Sequence, residues 1–418
     1  MFRWKLQPGN SKFEPMAHNF PEEIILDILF RLPPKTLIRC TSVCKSWNSM
    51  IKNPSFILTH FNRTIDLNNQ VGTHLRLVYC ARIVKRSRFR HGDLELLEEQ
   101  CNLYYDNLAF DEYCKLEFPI APREELRNKV LDVVSVCNGL VLLADNKVCS
   151  GNTFILCNPS MRKSVTLPKP HYTFKGDPGY YNCMGFGFDA VTNDYKVVRI
   201  TIDHREDQDP STFYEVYSLA GGSWSDPCSL DHVLGLNNIR KPTAFVNGAI
   251  HWDGWRRLTN GGSECFILAF DVGSDSFRSI VTPKDFRKLC SEHLCISGYG
   301  KSIALSYSCY AEIIEPRLDI WVMKEYGVEE SWTKLITLYP PGPEGQSLYQ
   351  PLWFRKSGDV VLVLTESFLK DDSRHELVCL DLVSKQYTNL GIHGYRYYYA
   401  ESYVESLVLL DKTDAVSY

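Results

Sequence analysis

Apolar positions near the start of the chain recur at helical spacing, and from about residue 74 they change to short apolar or alternating runs broken by turn residues. The helical region opens at Pro21, which suits a first helical position, and Glu22 and Glu23 place negative charge where a helix dipole favours it. At about 100° per residue, Ile24, Ile25, Ile28, Leu29 and Leu32 share a stripe about 140° wide. Leu26 and Phe30 widen the apolar arc to roughly 240°, broader than a helix resting on one core needs. Pro33 ends this helix and Pro34 can open a second through Leu37 and Ile38. Ser42 is the expected cap of a third, in which Val43, Trp47, Met50 and Ile51 recur until Asn53-Pro54 stops it. Residues 55–73 are expected to be a connector.

Helices this short are marginal alone, and a module of about 40 to 50 residues rarely stabilises itself. Each large apolar side chain removed from water contributes on the order of 1.5 to 3 kcal/mol. Leaving Leu26, Phe30, Ile38 and Met50 wet would therefore be costly, which implies docking on a second protein. The alternative is a helical cap packed wholly on its own C-terminal domain.

Across the β region a single cassette recurs: an apolar strand, a polar turn, an aromatic residue and a second strand. It runs from Phe154 to Pro168, from Tyr214 to Trp224, from Phe266 to Ile280, from Leu318 to Trp332 and from Leu377 to Tyr387. A second element, a turn leading into a buried strand, lies at Cys137–Leu143, Val246–Trp252 and Lys356–Leu362. Asn138-Gly139 and Asn247-Gly248 supply the positive backbone angles of tight hairpins. About four strands per period of roughly 50 residues predicts propeller blades, about five to seven of them, with a β-sandwich as the competing architecture.

Composition narrows the function classes. The chain has 418 residues, 44% hydrophobic and 12% aromatic, enough to fill the core of a large domain beside a small module. A net charge of -4 offers no general field for nucleic acid or an anionic membrane, and no apolar run is long enough to span a bilayer. Residues 1–18 read as a disordered lead-in without a secretory signal, and Met16 is an alternative starting residue to Met1. The 15 cysteines are scattered, without Cys-x-x-Cys or paired histidines, so reduced thiols are expected, with no metal and no cofactor.

The ordered combination of Phe20-Pro21, Ile24, Ile28-Leu29, Arg31-Leu32-Pro33, Lys35, Leu37, Arg39, Val43-Cys44-Lys45, Trp47 and Pro54 resembles the F-box in its plant form, with Phe20 where Leu is usual. Gly185-Phe186-Gly187-Phe188-Asp189, Asn193–Arg199, Glu215–Ser218, His251-Trp252, Ile320–Met323, Ser331–Lys334 and Tyr403–Leu407 resemble the F-box-associated, kelch-like domain, as in the S-locus F-box proteins. The resemblance implies an α+β multidomain chain: F-box helices over 19–54, an all-β propeller-like recognition domain over 74–410 and a tail over 411–418. It further implies a non-catalytic substrate receptor of an SCF-type cullin–RING ubiquitin ligase, in the cytoplasm or nucleus, with a Skp-type linker and an unknown target protein as partners. Carried over position by position, Pro21, Ile24, Ile28, Leu29, Leu32, Pro33, Leu37, Val43 and Trp47 would bury against that linker or brace the surface that does.

Other candidate chemistry is weaker. Gly185-Phe186-Gly187 lacks the third glycine of a dinucleotide loop and is expected to be a structural turn. Asp203, His204, Glu206, Asp207 and Asp209 read as a solvated acidic loop. Arg82, Lys85, Arg86, Arg88, Arg90 and His91, soon followed by Asp93, Glu95, Glu98 and Glu99, read as a charge-compensated surface hairpin. Segments 251–257 and 394–399 pair aromatics with arginine, a composition enriched at interface hot spots, and name Trp255, Arg256, Tyr395 and Tyr398 as exposed target contacts. There Trp252, Tyr397 and Tyr399 are the rings that alternation would turn to the core. A propeller enzyme, such as a glycan hydrolase or oxidase with a helical appendage, is the alternative function. It would need convergent carboxylates or metal ligands, and the sequence shows none.

Overall fold

The computed structural model describes residues 21–89, 92–119, 131–145, 153–173, 180–203, 211–230, 235–236, 243–257, 262–287, 294–309, 317–339, 347–365, 375–395 and 397–418. The lead-in, Phe20, Arg90, His91 and the acidic positions from His204 to Asp209 lie outside these residues.

Four helices come first: α1 (Glu22–Phe30), α2 (Pro34–Cys40), α3 (Lys45–Ile51) and α4 (Pro54–Val71). Cys44, not Ser42, caps α3: its Sγ accepts the Trp47 N–H at 3.5 Å. The expected connector is in fact the 18-residue helix α4. Asn53-Pro54, read as a stop, is also a start. Asn53 Oδ1 accepts the Ser55 N–H at 2.8 Å, and Pro54 takes the first turn, where its missing donor costs nothing. Phe56, Ile57, His60 and Phe61 make the buried stripe of α4, and Gly72, at φ 76°, closes it in the left-handed conformation.

Among the described residues the strands form six separate antiparallel sheets of four or five strands, the blades of a propeller and not the two facing sheets of a sandwich. Blade 2 shows the plan: Leu131–Cys137 innermost, then Leu140–Asp145, Phe154–Asn158 and Lys163–Thr166. Blades 3 to 6 follow over 180–229, 235–281, 294–338 and 347–393. The recurring cassette of the sequence is the third and fourth strands of blades 2 to 6. The turn-and-strand element supplies the second strand of blades 2, 4 and 6. Asn138 and Gly139 stand at φ 50° and 80°, and Asn247 and Gly248 at 52° and 72°, as the two-residue hairpins require.

Blade 1 is built from both ends of the domain. Leu75–Phe89, Gly92–Tyr105 and Glu112–Lys115 receive their innermost strand, Tyr397–Tyr403, from the C-terminal end, with Tyr79 opposite Tyr399. The expected tail adds a further closure, since Val416–Ser417 pairs with Ser164 and Lys163 on the outer edge of blade 2. Six apolar clusters fill the six seams between neighbouring blades. In the long hairpin of blade 1 the register sets Arg82 opposite Glu98, and their side chains pair at 2.5 Å.

Gly185-Phe186-Gly187 is no turn. It lies inside the inner strand Tyr180–Asp189, where a Cβ on Gly185 would stand 2.6 Å from the Trp252 ring. The Trp252 indole lies across that glycine and donates to the Met184 carbonyl at 3.1 Å, which joins blade 4 to blade 3.

Candidate docking surface of the helical module

The helical module has an inner and an outer side. Leu29, Leu37 and Ile51 are fully buried, and with Phe56 and Ile57 of α4 they pack on Met161 of blade 2 and on Leu407 and Leu410, which follow the closing strand. The outer side keeps Ile24, Ile28 and Val43 largely in solvent, with Pro21 and Pro33 also exposed and Leu32 and Trp47 half-buried. On α1, Ile24 and Ile28 are four residues apart and share the exposed face, while Ile25 and Leu29 turn toward the core. The nine sequence-derived positions therefore divide into an exposed set and two buried braces, Leu29 and Leu37, inside the module.

Polar contacts fix how this surface is held. Asp27 accepts from Arg31 at 2.6 Å and from Arg63 of α4 at 3.5 Å. Arg63 also lies 5.3 Å over the Phe30 ring, which stacks on Phe56 at 4.5 Å. His60 Nε2 donates to the Leu32 carbonyl at 2.8 Å, and burial lowers the imidazole pKa and favours its neutral form. The corner before Pro33 is thus tied to α4. Two contacts reach the propeller: Lys35 approaches Glu405 at 3.8 Å, and Lys356 of blade 6 donates to Asn69 at 2.9 Å. Burial raises the Glu405 carboxyl pKa, and Lys35 opposes the rise. Sequence reasoning missed Glu405, Leu407, Leu410 and all of α4. The spacing of Phe56, Ile57, His60 and Phe61 after a cap and a proline was the available signal.

A family model described as "F-box domain" matches residues 18–59, and one described as "F-box associated beta propeller domain" matches residues 115–413. This chain belongs to the F-box proteins with an F-box-associated propeller. Similar proteins of Arabidopsis thaliana include F-box protein CPR1, 28% identical over 94% of this chain and 90% of its own. Another F-box protein is 29% identical over 90% of this chain and 88% of its own. An F-box/kelch-repeat protein is 26% identical over 83% and 85%.

The residues expected to meet a target fare differently in this F-box protein. Tyr398 is buried, not exposed: it packs with Val78, Trp353 and Val361 in the seam between blades 1 and 6, and its hydroxyl donates to the His375 carbonyl at 3.3 Å. Tyr395 is half-buried, its ring edge-on to Tyr398 and its hydroxyl donating to Gln100 at 2.6 Å. Trp255 packs against the seam between blades 4 and 5. Arg256 pairs with Glu264 at 2.9 Å and lies over Phe266, so its charge is engaged on its own sheet. Trp252 and Tyr399 are core, as alternation expects. Among the described residues no group of three His, Cys, Asp or Glu is placed to hold a metal ion, and no helix is long and apolar enough to cross a membrane.

Proposed function

We propose that this F-box protein is the substrate receptor of an SCF-type cullin–RING ubiquitin ligase. Its helical module docks a Skp-type linker through Pro21, Ile24, Ile28, Leu32, Pro33, Val43 and Trp47, with Leu29 and Leu37 as internal braces. The propeller holds a target protein, whose ubiquitination and proteasomal degradation follow. Catalysis belongs to the partner subunits. This chain contributes proximity, raising the local concentration of target lysines near the charged ubiquitin carrier.

The observation that carries this reading is the exposed apolar side of the module. Its inner side is already filled by α4 and the propeller, so packing on its own domain leaves Ile24, Ile28 and Val43 wet. Covering them would gain on the order of 1.5 to 3 kcal/mol each. The geometry also supports a division of labour between propeller faces. α4 lies over the face that carries the Asn138-Gly139 turn and the turn at Leu219 and Ala220. The target is assigned to the opposite strand ends, which lead into the longer connections.

Leu32→Asp with Pro33→Ala tests the reading. Co-purification with a Skp-type linker should be lost while the propeller melts unchanged; retained co-purification would refute the assignment.

A further inference from the structure

The receptor reading leaves unused a cavity of about 200 Å3 at the junction of α4, blades 2 and 3, and the segment after the closing strand. Ile57, Leu58 and Phe61 of α4 form one wall, and Phe188, Leu219 and Val408 the facing one. Leu58 stands at the rim, 39% exposed, so the space opens to solvent.

We propose that this cavity binds a small ring compound carrying one oxygen acceptor, and that its occupancy braces α4 against the propeller. Size sets the ring. An enclosed cavity of about 150 Å3 holds benzene, so the volume of about 200 Å3 here, open on one side, admits a single or fused ring. The lining sets the acceptor: its charged groups are Asp194, Asp411 and Lys412, and Asp411 is exposed to solvent. Asp194 is spent within the turn, accepting from the Ser218 hydroxyl at 2.5 Å and the Ala220 N–H at 2.7 Å. The Tyr195 hydroxyl is engaged by the Asn138 side chain. Lys412 differs. Its ammonium gives one long bond, 3.3 Å, to the Leu219 carbonyl and forms no ion pair among the described residues. An ammonium has three N–H groups, so donors remain for a carboxylate or carbonyl oxygen held over the apolar floor. The backbone also sets this wall at a cost. Leu409, fully buried, stands at φ 78°, a conformation rare for a bulky side chain, in the segment that brings Val408 and Lys412 to the cavity.

Equilibrium dialysis and thermal melting of the full chain with 2-naphthoic acid and with 2-acetylnaphthalene test the proposal. Saturable one-to-one binding and a raised Tm are expected. Lys412→Met should weaken binding about tenfold, the effect of losing a hydrogen bond from a charged group. A loss confined to the acid would identify a carboxylate ligand. Leu58→Trp should block the mouth and abolish binding while co-purification with a Skp-type linker persists, which separates this proposal from the receptor reading. Absence of saturable binding to the wild type, or binding unchanged in both variants, would overturn it.

Discussion

Ile28 and Leu29 are neighbours on α1 and opposites in environment: Ile28 keeps 53% of its surface in solvent and Leu29 keeps none. Only the second is needed to hold the module together. Ile28→Asp should leave the melting temperature within about a degree of wild type, since surface substitutions usually stay within about 0.5 kcal/mol, yet abolish linker binding. Leu29→Ala should destabilise by about 2 to 5 kcal/mol, measured by denaturant unfolding.

Tyr398 belongs to the closing seam, where its ring meets Val78, Trp353 and Val361. Tyr398→Ala should therefore cost about 3 to 5 kcal/mol, as large buried aromatics do. A melt that did not move would return this ring to the surface.

Asn158 ends a strand of blade 2 and donates to the carbonyls of Ser406 at 3.0 Å and Val408 at 2.8 Å. It fastens the segment on which the helical module rests. Asn158→Leu removes the donor and strands two acceptors, a loss of about 1 to 3 kcal/mol for each group left buried and unpaired. Proteolysis near residue 406 should accelerate in that variant if the fastening works as described.

His251 is fully buried, with Nδ1 donating to the Ala244 carbonyl at 3.0 Å and Nε2 accepting from the Tyr326 hydroxyl at 2.7 Å. Arg278 in turn donates to Tyr326 at 2.8 Å. Burial lowers the imidazole pKa from 6.5 to about 4, and the neighbouring Arg278 charge adds to the effect. Between those values the unfolded chain binds the proton and the folded one does not. This group's contribution is therefore complete above pH 6.5 and is lost as pH falls toward 4, on the order of 3 kcal/mol in all. Unfolding at pH 7 and pH 4.5 should show a steeper loss for wild type than for His251→Gln. Equal slopes would show that His251 is not the responsible group.

Most of this architecture was legible where the signal is local. Helices α1 to α3 followed from proline positions and apolar spacing, and the third and fourth strands of blades 2 to 6 from a repeated cassette. Closure was not legible, because Tyr397–Tyr403 pairs with Leu75–Phe89 across nearly the whole domain, and no local pattern encodes such a partner. The same topology explains the misplacement of Tyr398. In an inner strand successive side chains point to opposite faces, but both faces are seams: Tyr399 enters the one toward blade 2, and Tyr398 the one toward blade 6. Alternation therefore predicts an exposed ring where none exists. α4 escaped notice because Asn53-Pro54 serves two helices at once. On the candidate site, spacing put Ile24, Ile25, Ile28, Leu29 and Leu32 on one stripe, and the docking positions among them came from the resemblance to the F-box. The buried braces were separable from the exposed positions only once α4 had a position.

We propose that the outer apolar side of the F-box helices is an interface for a bridging protein, and gel filtration of the purified full chain mixed with a Skp-type linker tests this. A single complex should elute ahead of either component; two peaks at the positions of the separate proteins would rule the interface out.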